Sequence, residues 1–390
     1  MTLADVLRQT YRDQRNAVPR YRVEDVMTIS EREDAAASGL PPDAFEAIWR
    51  AIGWLYRSGL HPSVTVCLRH RGHVILERSI GHARGNGPGA GLESVPERAT
   101  PATLYNMFSA AKAVTAMLVH HLDDQGLLHV GDRVADYIPE FGAHGKDRVT
   151  LRHVLAHRGG VPTVQDVPMQ PDLLADPEAV LDMLCRAKPE SKPGRRVAYH
   201  AITGGFLLQE VMERVSGKPI RTLLDEIIRV PLGFDTFQYG VEEARIPQVA
   251  EETWTGPNPP GPIRRLFERG FGVSAAEACD LANDPTLLTG IVPSGNIIGT
   301  ADEMCRFMEL LRNEGELDGV RIFEPRTVRR AVGETSYLEF DDILKLPIRY
   351  GAGFMLGDRW LSFFGPNTQN AYGHLGFTRY NSNNFCNFST

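Results

Sequence analysis

The clearest hydrophobic pattern near the start of the chain lies in segment 41–60, where apolar residues recur at helical spacing. This spacing predicts an amphipathic helix whose apolar face packs on a core. The residues of that face are Phe45, Ile48, Trp49, Ile52, Leu55 and Tyr56. Two runs rich in β-branched residues follow, 62–70 and 73–81, and a short link through Arg71 and Gly72 joins them. This pattern predicts a β-hairpin.

Helical patterns dominate the middle of the chain, and strand patterns return near its end. The predicted helices are 109–125, 150–157, 176–187, 204–217, 219–233 and 301–315. The predicted late strands are 349–358 and 372–380. This order predicts an α/β (α+β) fold, in which an antiparallel sheet built from both chain ends is flanked by helices, with a mostly helical domain inserted.

The same patterns divide the chain into regions. Residues 1–40 are polar and weakly patterned, so we expect an N-terminal extension laid over the surface. Segments 41–104 and 291–390 are predicted to form the sheet domain, and 105–290 the helical domain. The last eleven residues contain four asparagines and no charge, and they match neither a strand nor a helix well.

Composition narrows the function classes. The chain has 390 residues, 42% hydrophobic and 23% charged, which is typical of a soluble globular protein. A formal net charge of −7 gives no electrostatic reason to expect nucleic acid or an anionic membrane as a partner. The first residues are charged and lack a signal-peptide core, so a cytoplasmic location is expected by default. The five cysteines lack Cys-x-x-Cys spacing, so we expect reduced thiols.

Candidate chemistry appears in "YNMFSAAKAVTAMLV", where Ser109 and Lys112 form the only Ser-x-x-Lys pair. Residues three apart share a helix face, so Lys112 can point the same way as Ser109. A serine hydroxyl needs a base to act as a nucleophile, and burial on an apolar helix favours a neutral lysine. The alternative is an ordinary helix start, since serine is a common N-cap and lysine a common helix former.

Several further segments resemble the serine β-lactamase-like hydrolases, in particular the class C β-lactamase and family VIII carboxylesterase branch. "VTLRHVLAHRGGVP" resembles that family's L-L-x-H-T-S-G-L stretch, and "PGRRVAYHAITGG" the region of its catalytic tyrosine. "PSGNIIGTADEMCRF" resembles its P-A-G-G-L-x-S-T-A element, and "GHLGF" stands where the family has K-T-G or H-x-G. The resemblance runs from about residue 45 to 380 in the family's order, and it implies a β-lactamase/transpeptidase-like fold.

The resemblance also implies roles for individual residues. Ser109 is the expected nucleophile, with Lys112 and Tyr199 as its proton-transfer partners. His374 and Gly376 belong to the strand that faces the serine. The backbone N–H groups of Ser109 and Phe377 are expected to form the oxyanion hole, which stabilises the charge of a tetrahedral intermediate. Which of Lys112 and Tyr199 takes the first proton stays open, since the two titrate as a coupled pair.

The sequence departs from the family pattern at three points, and the first two affect the expected substrate. Ala201 stands where the β-lactamase branch has an asparagine that contacts the amide of a β-lactam side chain. His374 replaces the K-T-G lysine, which weakens a fixed cation for a substrate carboxylate. Both changes favour neutral esters over β-lactams. The family also continues with further strands and a helix after the "GHLGF" strand, and these are expected to be missing from this sequence, which ends at Thr390.

Three functions therefore remain in competition. The first is a serine carboxylesterase that acts on a small-molecule ester through an acyl-enzyme. The second is a β-lactamase or D-amino-acid peptidase, and the third is an inactive or truncated relative that uses its cleft for binding. We expect no cofactor and no metal: His153 and His157 are four residues apart but no third-ligand pattern accompanies them. The sequence leaves the oligomeric state open.

Overall fold

The computed structural model describes residues 16–41, 43–90, 93–164, 170–256, 261, 264–265, 268 and 272–376, together with the backbone of 385–388. Its strands are β1 (Met27–Ile29), β2 (Ser63–His70), β3 (His73–Arg84), β4 (Glu97–Arg98), β5 (Tyr105–Asn106), β6 (Gln238–Tyr239), β7 (Ile297–Gly299), β8 (Glu316–Leu317), β9 (Val320–Arg321), β10 (Ser336–Phe340), β11 (Pro347–Tyr350), β12 (Met355–Leu356), β13 (Tyr372–Leu375) and β14 (Phe385–Phe388).

All seven predicted helices are present, although the one expected over 219–233 is α-helical only to Leu224 and continues as a π-helical turn, Asp225–Arg229. Six further short helices among the described residues were not predicted. The helices are α1 (Val23–Val26), α2 (Glu46–Arg57), α3 (Ala111–Asp124), α4 (Val134–Tyr137), α5 (Leu151–Leu155), α6 (Pro171–Leu174), α7 (Pro177–Arg186), α8 (Thr203–Ser216), α9 (Ile220–Leu224), α10 (Ala275–Asn283), α11 (Pro285–Thr289), α12 (Ala301–Arg312) and α13 (Pro325–Val332). In the described part of the chain, none of these helices has the length and apolarity needed to cross a bilayer.

The N-terminal sheet is built on the predicted hairpin, with β3 between β1 and β2 and all pairs antiparallel. Met27 pairs with Ile80, so part of the N-terminal extension belongs to the sheet. The prediction that the extension only covers the surface is wrong here, because Val23 and Val26 are buried in the core under this sheet. Two apolar residues in a polar segment are too few to form a recognisable hydrophobic pattern, so the sequence offered little indication that this segment is buried.

The C-terminal strands form a second antiparallel sheet in the order β10–β11–β12–β13–β14. Among the described strands no ladder joins this sheet to the first, and β5–β7–β6 and β8–β9 form two smaller antiparallel sheets. The predicted antiparallel pairing of strands from both chain ends, flanked by helices, is present. Helix α12 contacts β2 of the first sheet and β14 of the second. The expectation that the tail matches no strand is also wrong for Phe385–Phe388, which pairs along β13. A segment can pair through its backbone with an exposed strand edge even if it has no charged residues and its apolar and polar residues do not alternate.

Helix α3 lies at the centre of the largest hydrophobic core. Its residues from Ala111 to His120 are all buried, because helices α8 and α13 contact it. A helix surrounded by other elements is apolar on nearly every face, which explains the lack of polar surface in its sequence. Lys112 is thus held in a dry environment near the start of a rigid helix.

Candidate active site

Ser109 lies in a one-turn 3₁₀ helix, Phe108–Ala110, between strand β5 and helix α3. Phe108 has a φ of 45°, in the left-handed region that bulky residues rarely adopt. The Asn106 side chain holds this turn, because its Oδ1 accepts a hydrogen bond of 3.0 Å from the Phe108 N–H. Backbone strain of this kind concentrates at functional sites. The turn places the Ser109 side chain in the wall of a cleft.

Lys112 lies one turn after Ser109, and its amine contacts three oxygen atoms. Nζ is 3.0 Å from Ser109 Oγ, 2.7 Å from the carbonyl oxygen of Ala201 and 3.0 Å from the carbonyl oxygen of Ser294. Burial lowers the pKa of Lys112 well below its usual value, because removing an ammonium group from water disfavours the charged form. The environment therefore favours the neutral form of the amine.

Tyr199 lies beside the amine, with the centre of its ring 4.9 Å from Lys112 Nζ. Burial raises the pKa of the Tyr199 phenol above its usual value, and a hydrogen bond with Ser109 partly offsets this effect. The Tyr199 N–H donates to Asp341 Oδ1 at 3.2 Å, which fixes the backbone under the ring. The serine, the amine and the phenol thus meet at one point.

His374 lies on β13, which packs against the turn that carries Ser109. Its ring is 6.0 Å from the ring of Tyr199, and its Nδ1 lies 2.8 Å from the carbonyl oxygen of Leu375. Burial is the main cause that lowers the pKa of His374 to about 3, with the charge of Lys112 adding to it. The imidazole is therefore neutral at physiological pH and supplies no cation.

A cleft of about 790 Å³, measured to its open mouth, adjoins Ser109. Its lining is mainly apolar: Phe108, Leu174, Ala201, Ile202, Val273, Ala278, Leu281, Ala282, Leu287 and Val292. The described lining residues include no lysine or arginine. The side chain of Asn296 in the wall already bonds Leu287, Gly290 and Val292 backbone groups.

A family model described as "Beta-lactamase" matches residues 46–387. The chain belongs to the Beta-lactamase family. The predicted family resemblance and the β-lactamase/transpeptidase-like fold are thereby confirmed. These proteins form the serine β-lactamase and transpeptidase-like group.

Relatives in this family carry both esterase and penicillin-binding descriptions. The chain is 32% identical over 263 residues to "Esterase/beta-lactamase LipL" of Mycobacterium tuberculosis, a match that covers 64% of this chain and 60% of LipL. A penicillin-binding protein homologue from Caulobacter crescentus aligns with a TM-score of 0.74 at 29% identity over 87% of both chains. A family VIII carboxylesterase aligns with a TM-score of 0.72 at 26% identity over 86% of both chains.

In this Beta-lactamase family member, the predicted site residues that the structure describes lie close together; one predicted residue lies outside the described part of the chain. Ser109, Lys112 and Tyr199 converge, and His374 and Gly376 lie on or just after the facing strand β13. Phe377, predicted as the second oxyanion donor, lies outside the described residues. His153 and His157 do not share a site: His153 Nδ1 accepts from Thr150 N–H, as part of a helix cap.

Three functional groups of the site were missed by the sequence prediction. The carbonyl oxygens of Ala201 and Ser294 hold Lys112, yet carbonyl groups leave no residue-type signal. Asp341 bonds the backbone of Tyr199 from 142 positions away along the chain. Ala201 and Ser294 both lie in segments that resemble family motifs, "PGRRVAYHAITGG" and "PSGN", but nothing in those motifs marks their carbonyl groups as partners of Lys112.

Proposed function

We propose that this protein is a serine hydrolase that cleaves carboxylic esters through an acyl-enzyme on Ser109. Lys112 acts as the base, and Tyr199 relays the proton. One observation carries the proposal. The amine of Lys112 has three oxygen neighbours, two of which are carbonyl oxygens that can only accept hydrogen bonds.

These contacts define the role of a neutral amine, which has two N–H bonds and one lone pair. Ala201 and Ser294 carbonyls take the two N–H bonds, so the lone pair is left for the third neighbour, the Ser109 hydroxyl. The hydroxyl then donates its proton towards Nζ, which is the arrangement required to activate a serine. The lowered pKa of Lys112 supports this form at neutral pH.

The reaction follows from this arrangement. Ser109 Oγ attacks the ester carbonyl carbon and its proton passes to Lys112 Nζ. The tetrahedral intermediate collapses when the bond to the alcohol oxygen breaks, and that oxygen takes a proton through the Tyr199 hydroxyl. Water then attacks the acyl-enzyme by the reverse proton path, releasing the carboxylic acid and restoring Ser109.

Two features favour neutral esters over substrates that carry a carboxylate. His374 is buried and neutral, so no charge at this position attracts an anion. The small side chain of Ala201 lies in the cleft wall, where it offers no hydrogen bond to an amide. The apolar lining is suited to the acyl group of an ester, since burying its methylene groups stabilises the complex.

A substrate panel tests the proposal. Nitrophenyl esters of increasing acyl length are assayed beside a chromogenic cephalosporin and a D-alanyl peptide, with wild type and Ser109→Ala. We expect ester turnover that Ser109→Ala abolishes, and mass spectrometry should locate a fluorophosphonate label on Ser109. Faster turnover of the cephalosporin or the peptide than of any ester would replace the proposal with the second function, which the likeness to the penicillin-binding homologue supports.

A further inference from the structure

We propose that His157 is a positioning residue that sets the orientation of Tyr199, an assignment that rests on the proposed function. His157 follows helix α5 by two residues and is buried. It accepts hydrogen bonds from backbone N–H groups on both sides of the tyrosine, and its ring packs against that of Tyr199.

The segment Ala198–Tyr199–His200 is anchored by three consecutive N–H groups. The Ala198 N–H donates to the carbonyl oxygen of His157 at 2.9 Å. The His200 N–H donates to His157 Nδ1 at 3.2 Å, and the Tyr199 N–H between them donates to Asp341 at 3.2 Å. His157 therefore holds two of the three groups, one through its backbone and one through its ring.

The imidazole of His157 also limits where the phenol ring can lie. The ring of His157 is 4.7 Å from that of Tyr199 and 4.9 Å from that of Tyr350. The Tyr350 hydroxyl donates to Asp341 Oδ2 at 3.0 Å, so the second anchor of the segment is fixed in turn. Together these contacts surround Tyr199 and restrict the position of its ring.

The hydrogen bond from His200 requires a lone pair on His157 Nδ1, so the ring proton must be on Nε2. Five titratable groups face this ring: Lys112, His200, His374, Tyr199 and Tyr350. Burial and the positive charges that His200, Lys112 and His374 can carry lower the pKa of His157 well below its usual value. The ring thus stays neutral and keeps its acceptor.

The backbone conformation of His157 allows substitutions that test the role of its ring. Its φ of 57° lies in the left-handed region, which glycine and asparagine tolerate best. His157→Gly removes the acceptor without adding strain, and His157→Asn keeps a side-chain acceptor near the position of Nδ1. His144, with a φ of 60° on the exposed surface, provides a matched control as His144→Gly.

We expect His157→Gly to lower kcat for a nitrophenyl ester by about 10²-fold, the usual effect of a small misplacement of a reacting group. KM should change little, because the acyl cleft is intact. His157→Asn should recover most of kcat, and His144→Gly should match wild type. In a Tyr199→Phe background, His157→Gly should cost almost nothing further, because the two residues act as one unit.

Other outcomes would overturn the assignment. If the role of His157 is merely structural, His157→Gly will lower the melting temperature but leave kcat per folded molecule unchanged. An equal loss of kcat with and without the Tyr199 hydroxyl would also show that His157 does not act through Tyr199. Equal activity of the glycine variant and wild type would overturn it as well. A wild type that neither hydrolyses esters nor labels at Ser109 would instead overturn the proposed function, and the assignment with it.

Discussion

The amine of Lys112 lies 3.0 Å from the hydroxyl of Ser109, and its remaining hydrogen-bond contacts are backbone carbonyl oxygens. The carbonyl groups belong to segments 89 and 182 positions away along the chain. Lysine rarely lies so deep in a protein without a carboxylate partner. The site therefore holds the Lys112 amine where burial disfavours its charged form and two carbonyl groups orient it, the conditions that the proposed proton acceptor needs.

Removal of the Ser109 hydroxyl tests the nucleophile. Ser109→Ala should lower ester turnover by a factor on the order of 10⁶, since comparable nucleophile deletions have this effect. The melting temperature should stay close to that of wild type, because only a hydroxyl group is lost. Ser58→Ala, on the exposed end of helix α2, is the control and should keep full activity. If Ser109→Ala kept a tenth of the activity, another nucleophile would have to be sought.

Lys112 and Tyr199 should act as one unit. Lys112→Met and Tyr199→Phe should each strongly slow acylation, measured as the burst of nitrophenol from an activated ester. The double variant should be little slower than the worse single variant, because neither partner completes the proton path alone. Additive losses would show that the two residues serve separate steps.

The pH dependence of kcat/KM should report the protonation of Lys112. Protonation removes the lone pair, so the rate should fall as pH drops through the pKa of this lysine, which burial places well below its usual 10.5. Lys112→Arg is the matched control, because arginine stays protonated at every accessible pH. The Lys112→Arg variant should be inactive at every pH tested. If the wild-type rate stayed constant into the acid range, Lys112 would not be the base.

The sequence was informative about the site wherever chemistry depends on local spacing. Ser109 and Lys112 are three residues apart, and helix geometry alone predicts their contact. Tyr199, His374 and Gly376 were found only through resemblance to a family, because no periodicity relates them to the serine. Carbonyl groups of Ala201 and Ser294, and the carboxylate of Asp341, had no signal of their own, since tertiary packing brings them to the site.

The fold was predictable in a similar way. Helices α2, α8 and α12 and the β2–β3 hairpin follow local patterns, and each forms close to its predicted bounds. The grouping of the described strands into separate ladders was not predictable, because long-range packing decides which strand edges form hydrogen bonds with each other. Strand β14 shows the same limit: its sequence lacks alternation, yet its backbone pairs with β13 from Tyr372 to Leu375.

The buried histidines should make stability depend on acid pH. Burial lowers the pKa of His200 to about 4 and of His374 to about 3, from the usual 6.5. Below pH 6.5 the unfolded chain binds protons that the folded chain does not, so the free energy of unfolding should fall as pH drops from 6.5 towards 4. Each such histidine contributes a slope of at most about 1.4 kcal/mol per pH unit.

Urea unfolding across this pH range measures the slope. His200→Asn removes one of the titrating groups, so its free energy of unfolding should depend less steeply on pH than that of wild type. His144→Gln, an exposed substitution, should leave the slope unchanged. A slope for His200→Asn equal to that of wild type would mean that His200 is protonated to the same extent in the folded and unfolded chains.

The last prediction concerns the acyl group. Helix α10 presents Ala278, Leu281 and Ala282 to the cleft beside Ser109, and the small side chains leave open the space that an acyl chain would fill. Burial of one methylene group stabilises a complex by about 0.8 kcal/mol, or roughly fourfold in kcat/KM. We therefore expect kcat/KM to rise from acetyl to medium-length esters in wild type, until the chain reaches the end of the cleft.

Ala278→Phe should fill part of this space. Its kcat/KM for acetyl esters should stay near that of wild type, because the reacting atoms are untouched, whereas the gain with each added methylene should stop at a shorter chain. Ala276→Phe, on the exposed face of the same helix, controls for the effect of an aromatic side chain on α10. A uniform loss across all chain lengths, or an unchanged length preference, would show that the acyl chain binds elsewhere and that the apolar cleft receives the alcohol.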